Sequence, residues 1–262
     1  MIRTLILRMC VGLAGMMTIA TIAAAASAPT PKTAEGHPDL NGYWKGTRDT
    51  VPGGNIAKDQ PGLKLPFTPA GEAAWKHNTT ATIDPESLCI IGGIPRHNAS
   101  GLPFQIVQSP KYVAFLYFYS YYRLIPTDGR KHDEDPDPSY FGDEVGHWDG
   151  DALVVDSIGF KDTQVWADEN GSPHSDALHV VERWTRPDQD HIHVETLIED
   201  PKFYTKPFTY ARYSGSRTSS FANIHARRTT SIKNIWDLGR GRSGPTARAA
   251  ILIPPLFRRP CQ

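Results

Sequence analysis

The hydrophobic pattern of the chain changes character near Phe104. Before that point, apolar positions come singly between prolines, glycines and polar residues. After it they alternate with polar ones at a period of two, the signature of half-buried strands. "FQIVQ" (104–108) is followed, past Ser109-Pro110, by the aromatic and β-branched run "KYVAFLYFYSYYRLIP" (111–126). A turn-rich acidic loop covers Asp128–Asp143. "EVGHWDGDALVVDSIGF" (144–160) predicts two strands joined through Asp149-Gly150-Asp151, a hairpin signal. "ALHVVERWTR" and "HIHVETLIED" form a second pair across 187–190, and "FTYARYSG" (208–215) is a further strand. Consecutive hairpins at this spacing predict a mainly β fold, an antiparallel meander closed as a lipocalin-like barrel, with a β-sandwich as the alternative. Gly42 and Trp44 of "HPDLNGYW" have the G-x-W spacing with which many lipocalin-like barrels begin. One short helix is predicted over Thr68–His77, with Thr68 as N-cap, Pro69 in the first turn and Glu72 placed for a capping box.

The alternation also assigns faces. Ile192, Val194, Thr196 and Ile198 define an inward face that Asp200 extends, while His191 and His193 face solvent. His179, Val181 and Arg183 share one side of their strand; Glu182 and Trp184 share the other. His179 and Glu182 therefore cannot point together, and "GSPHSDALHVVERW" (171–184) holds no local zinc motif. Asp156 shares its side with Val154 and is read as inward, paired with Arg123 or Arg183 or else catalytic.

Composition narrows the partners. Lys and Arg total 28 and so do Asp and Glu, a balance without the basic excess that nucleic-acid binding requires. Residues 1–28 read as an export signal: Arg3 and Arg8 precede the apolar run Val11–Ala26, which ends in the small residues Ala26-Ser27-Ala28. The expected product is periplasmic or secreted, free of the membrane after cleavage, with Cys89 and Cys261 able to pair in an oxidising compartment. Residues 29–213 are expected to form one β-rich domain.

Histidine and carboxylate side chains at strand mouths suit acid–base work. The candidate catalytic residues are His132, Asp156, His174, His179 and Asp200. Arg123, Arg130, Trp166, Glu182 and Lys206 are the candidates for binding substrate. No phosphate loop, dinucleotide fingerprint or haem-attachment motif is present, so no cofactor is expected. The leading expectation is a cavity for a small apolar or aromatic molecule, used by a lyase, isomerase or hydrolase. Two alternatives stand beside it: a non-catalytic lipocalin-type binding protein, and a metal-dependent enzyme using His132, His174 and His179. The aromatic run Tyr112–Tyr122 is read first as an ordinary core strand and second as a wall of the cavity.

Taken together, "PDLNGYW", "CIIGGIPR", "DGRKH", "VGHWDGDALVVDS", "HSDALHVVERW" and "IEDPKFYTKP" resemble a family of exported β-rich bacterial proteins to which no reaction is assigned. The resemblance spans roughly residues 36–213. It marks Arg123, Arg130, His132, Asp156, His174, Asp176, His179, Glu182, Asp200 and Lys206 as matched polar positions. The tail departs from it, because that family ends in a Cys-Glu-Glu-Asn-Asn pattern. Codons chosen for Ala226–Asp237 and read one frame over spell Glu-Glu-Asn-Asn, so residues 214–262 read as a frameshifted, disordered tail.

Overall fold

A computed structural model describes residues 29–45, 56, 62–100, 102–117, 121–162 and 165–218, the last eight as backbone only. The export signal and the tail beyond 218 lie outside the described residues. Nine strands form: β1 (Gly42–Trp44), β2 (Phe104–Gln108), β3 (Tyr112–Tyr117), β4 (Tyr122–Pro126), β5 (Asp143–Asp149), β6 (Ala152–Ile158), β7 (His179–Thr185), β8 (His191–Glu199) and β9 (Phe208–Thr218). Every pairing is antiparallel. The four-stranded run β4-β3-β2-β1 meets the five-stranded run β9-β8-β7-β6-β5 at a short ladder, Tyr43 opposite Thr218 and Trp44 opposite Arg217. No ladder joins β4 to β5 among the described residues, so no closed barrel is found. Those two ends nevertheless approach: a Cβ on Gly146 would lie 3.0 Å from the Ile125 side chain and 3.1 Å from that of Thr127.

Several elements follow their sequence signals. Gly150, at φ 59°, turns the β5–β6 hairpin, a left-handed conformation that glycine adopts without strain. Helix α1 (Pro69–Ala81) starts where Thr68 accepts the Gly71 N–H, and runs four residues past His77. Two departures matter more. The aromatic run 111–126 is a hairpin rather than one strand, since Phe115 of β3 pairs with Arg123 of β4. Strand β9 also continues to Thr218, beyond the expected domain boundary at 213. Cys89 is disulfide-bonded, and Cys10 and Cys261 lie outside the described residues.

The inner faces of the strands bury two apolar clusters. Trp44, Phe104, Ile106, Val113, Phe115, Ile125, Leu153, Trp184, Ile192 and Val194 build one. Trp44 closes it, donating Nε1–H to the Leu40 carbonyl at 3.0 Å beneath the Arg186 guanidinium. Ile94, Ala99, Phe160, Leu178, Val180, Ile198, Phe208 and Tyr210 belong to the other. The segment 92–100 is buried throughout and carries a one-turn helix, α2 (Arg96–Ala99). It packs on the inner faces: Asn98 reaches Glu182 and Tyr117, and Tyr210 donates to the Pro95 carbonyl. The inward residues of the aromatic run are core, the first of its two readings, with Phe115 and Tyr117 packed against each other and Phe115 against Trp184.

Candidate active site

Strand β5 contributes two neighbouring acids to opposite faces, as the pleat requires. Glu144 turns inward and Asp143 outward, and each anchors a separate charged network.

The inner network centres on Arg123 of β4, 2% exposed. Its Nη1–H and Nη2–H groups donate in a fork to Oε1 and Oε2 of Glu182, a residue with no exposed surface. Nε–H donates to Glu144 Oε1 at 2.6 Å. Asn98 Nδ2–H adds a further donor to Glu182, and Tyr117 Oη accepts from Arg123 Nη1–H at 3.1 Å. One guanidinium thus serves two buried carboxylates, which would leave the trio one negative charge in excess. Burying an uncompensated charge is expensive, so such a site takes up a proton. Glu182 receives the fork and the amide on both oxygens, whereas Glu144 meets Arg123 Nε and Nη2 through Oε1 alone, which favours Glu144 as the carrier of that proton. Burial pushes the Glu144 carboxyl up to about 7, against the pull of Arg123. Burial works against the Arg123 charge, but Glu144 and Glu182 outweigh it and hold the guanidinium firmly protonated.

The outer network runs across β5, β6, β7 and β8. Asp156 Oδ1 accepts from His132 Nε2–H at 3.0 Å and from His179 Nε2–H at 3.1 Å. His132 Nδ1 lies 2.8 Å from Asp143 Oδ2, and His179 Nδ1 lies 3.4 Å from Glu199 Oε2. The side chains are 21–36% exposed for His132, Asp156 and His179. The bond to Asp156 raises the His179 pKa above 6.5, and the bonds from His179 and His132 hold Asp156 below 3.8. Both ring nitrogens of each histidine already face a carboxylate, so these imidazoles have no free nitrogen to offer a substrate.

A pocket of about 280 Å³ lies at the β4–β5 seam between the two networks, lined by Leu124, Pro126, Arg130, Lys131, Asp133, Gly142, Asp143 and Glu144. Arg130 is held by Asp128 and by the Tyr112 hydroxyl. The volume is at the lower limit of small-molecule sites.

Of the residues expected to act, the fold brings His132, Asp156 and His179 together, and Arg123 with Glu182. Asp156 faces outward, not inward. Leu153, Val154 and Val155 are all buried, so the apolar run gave no alternation to read. Its partners are the two histidines, while Arg183 pairs with Asp149. Asp200 is 1% exposed and caps a loop: it accepts Ser175 N–H at 2.6 Å, Ser175 Oγ–H at 2.9 Å and Lys202 N–H at 3.1 Å. His174 is buried beside that loop, edge-on to Phe160, and burial lowers its pKa. Trp166 is buried under the Arg96 guanidinium. Lys206 is exposed and lines neither the pocket nor the Asp156 cluster. His132, His174 and His179 do not form the expected metal trio: among the described residues no three His, Cys, Asp or Glu groups converge as an ion requires. His132 and His179 aim their N–H groups at one oxygen atom instead of at a shared void.

Glu144, Asn98 and His97 are the site residues that the sequence reading missed. His97 is buried among Tyr117, Tyr121 and Phe141, with Nδ1–H on the Gly93 carbonyl at 2.7 Å. A usable signal existed for Glu144, which alternates with Gly146 and Trp148 as Glu182 does with Trp184. No family model, curated protein or solved structure matches the chain.

Proposed function

We propose that the chain is an exported, barrel-like, cofactor-independent acid–base enzyme acting on a small polar molecule at the β4–β5 seam. The observation that carries this is the carboxyl of Glu144, shared with Glu182 by one guanidinium and pushed up to about 7 at the edge of a charged pocket. A carboxyl with that pKa gives and takes protons at neutral pH, which is what general acid–base catalysis needs. Arg130 and Lys131 supply positive charge for an anionic substrate group, and Leu124 and Pro126 an apolar side. Arg123 and Glu182 hold the Glu144 carboxyl in place. His132, Asp156 and His179 shape the pocket wall and do not transfer the proton. The meander order, whose two open ends β4 and β5 approach each other without pairing, supports the barrel-like reading, and the apolar, small-residue-terminated start supports export.

Hydrogen exchange in D2O tests the reading across a panel of candidate substrates. Small 2-oxo and 2-hydroxy acids are incubated with the protein and followed by NMR for loss of C–H signal. The expected result is faster exchange in at least one of them, reduced about a hundredfold or more by Glu144→Gln. Exchange at the buffer rate throughout, or exchange that Glu144→Gln leaves intact, would overturn it. Ligand-induced shifts without exchange would establish binding alone.

A further inference from the structure

One side of the pocket, Arg130, Lys131, Asp133 and Gly142, belongs to the exposed connection between β4 and β5. Its ends are tied by backbone: Thr127 N–H to the Lys111 carbonyl at 2.7 Å, and Ser139 N–H to that of Gly159 at 3.1 Å. Between them, residues 129–138 are mostly exposed. Three side chains hold this stretch against the sheet, one of them Arg130, which donates to the Tyr112 hydroxyl of β3 at 3.0 Å. Pro136 packs on Gly159, where a Cβ would come within 2.8 Å of it. His132 inserts between Asp143 of β5 and Asp156 of β6. Asp143 Oδ2 also accepts the Asp133 N–H at 3.1 Å. Lys131 and Asp133, the neighbours of His132, both line the pocket.

We infer that Asp156 and His179 are positioning residues for the seam pocket: acting through His132, they clasp the 127–142 strap to the sheet, and the clasp loosens as the His179 imidazole loses its proton. The inference rests on the proposed function of the pocket. Its physical content is charge alternation. Carboxylate, imidazole, carboxylate, imidazole and carboxylate follow one another from Asp143 to Glu199. Each histidine must carry both protons to donate in both directions. A neutral imidazole breaks one of its two links and leaves neighbouring carboxylates facing a lone pair.

The charged groups around Asp156 come from every element beside it. The strap presents His132, flanked by Lys131 and Asp133; β5 presents Asp143, with His147 exposed farther along. From β7 comes His179, with Arg183 engaged by Asp149, and from β8 Glu199. His179 is held protonated above its ordinary 6.5, so its share of the clasp is complete below that pH and is lost as pH rises through the raised value. Asp156 is held below 3.8, so its share is complete above that pH and fails only as pH falls through the lowered value. The strap is closed between those limits.

Backbone amide exchange measures the clasp with no ligand and no turnover, so its outcome is independent of whether Glu144 does chemistry. Protection of amides in 128–138 is compared at about pH 5.5 and about pH 8.5, on either side of the histidine range. Wild type is expected to lose protection at the higher pH, in the direction set by the raised His179. Asp156→Asn and His132→Gln are expected to show low protection at both, with β6–β8 amides unchanged. His179→Gln is expected to lower protection at about pH 5.5 and flatten its pH dependence. Wild-type protection independent of pH, an Asp156→Asn strap as protected as wild type, or loss shared equally by β6–β8 would overturn the inference. If Asp156→Asn fails to fold, His132→Gln on the exposed strap decides it alone.

Discussion

The two faces of β5, β6 and β7 carry charged networks of similar chemistry set in different media. Inside, Arg123, Glu144 and Glu182 meet with almost no exposed surface. Outside, Asp143, His132, Asp156, His179 and Glu199 are each a fifth to a half exposed. The inner set has too few positive charges for its carboxylates and answers by keeping a proton near neutrality. The outer set has water and a titratable cation, so Asp156 is held ionised and His179 protonated, and the set loosens as His179 loses its proton. Burial therefore decides whether a carboxylate cluster stores a proton or forms a pH-dependent fastening.

The largest effect should come from removing the shared cation. Arg123→Met leaves two buried carboxylates without a counter-charge, and denaturant unfolding should show a loss of about 3–5 kcal/mol. The loss should be greater at pH 8 than at pH 5, because both acids must then be protonated to stay buried. Equal loss at both pH values would mean the trio carries no excess charge.

Glu144→Gln should do the opposite. A folded carboxyl raised from 4.5 to about 7 contributes stability that is complete below 4.5 and lost as pH rises through 7. The variant should thus match wild type near pH 4 and exceed it by about 3 kcal/mol at pH 8, read from the same denaturant curves. A variant weaker than wild type at pH 8 would place the proton elsewhere.

Asp156→Asn should cost no more than about 1 kcal/mol of global stability, since its partners are part-exposed and screened. Smaller still is the expected response to salt. Raising ionic strength should weaken the outer fastening measurably, seen as faster strap exchange, and leave the titration of Glu144 unmoved. A salt-sensitive inner titration would erase the distinction between the faces.

Strict alternation makes the inner face of β8 and the split of His179 from Glu182 legible in the sequence, because period two leaves no freedom once one face is buried. Asp149-Gly150-Asp151 likewise announces its hairpin. The orientation of Asp156 is not legible, because Leu153–Val155 are apolar on both sides and carry no phase. The 111–126 run hides its turn because both arms have the same β-favouring composition. Residues 92–100 give no signal because a one-turn helix has no periodicity to detect, and its burial depends on strands far along the chain. The inner site is visible in the sequence only as separate residues; its pairing across β4, β5 and β7 is a property of register.

The decisive measurement is a carbon-13 titration of the glutamate side-chain carboxyls by NMR, wild type beside Glu144→Gln. One glutamate should titrate near pH 7 in the wild type and be missing from the variant. Glutamates that all titrate within about a unit of the ordinary 4.5, or a signal near 7 that survives the substitution, would contradict a proton held at the seam by two carboxylates and one guanidinium.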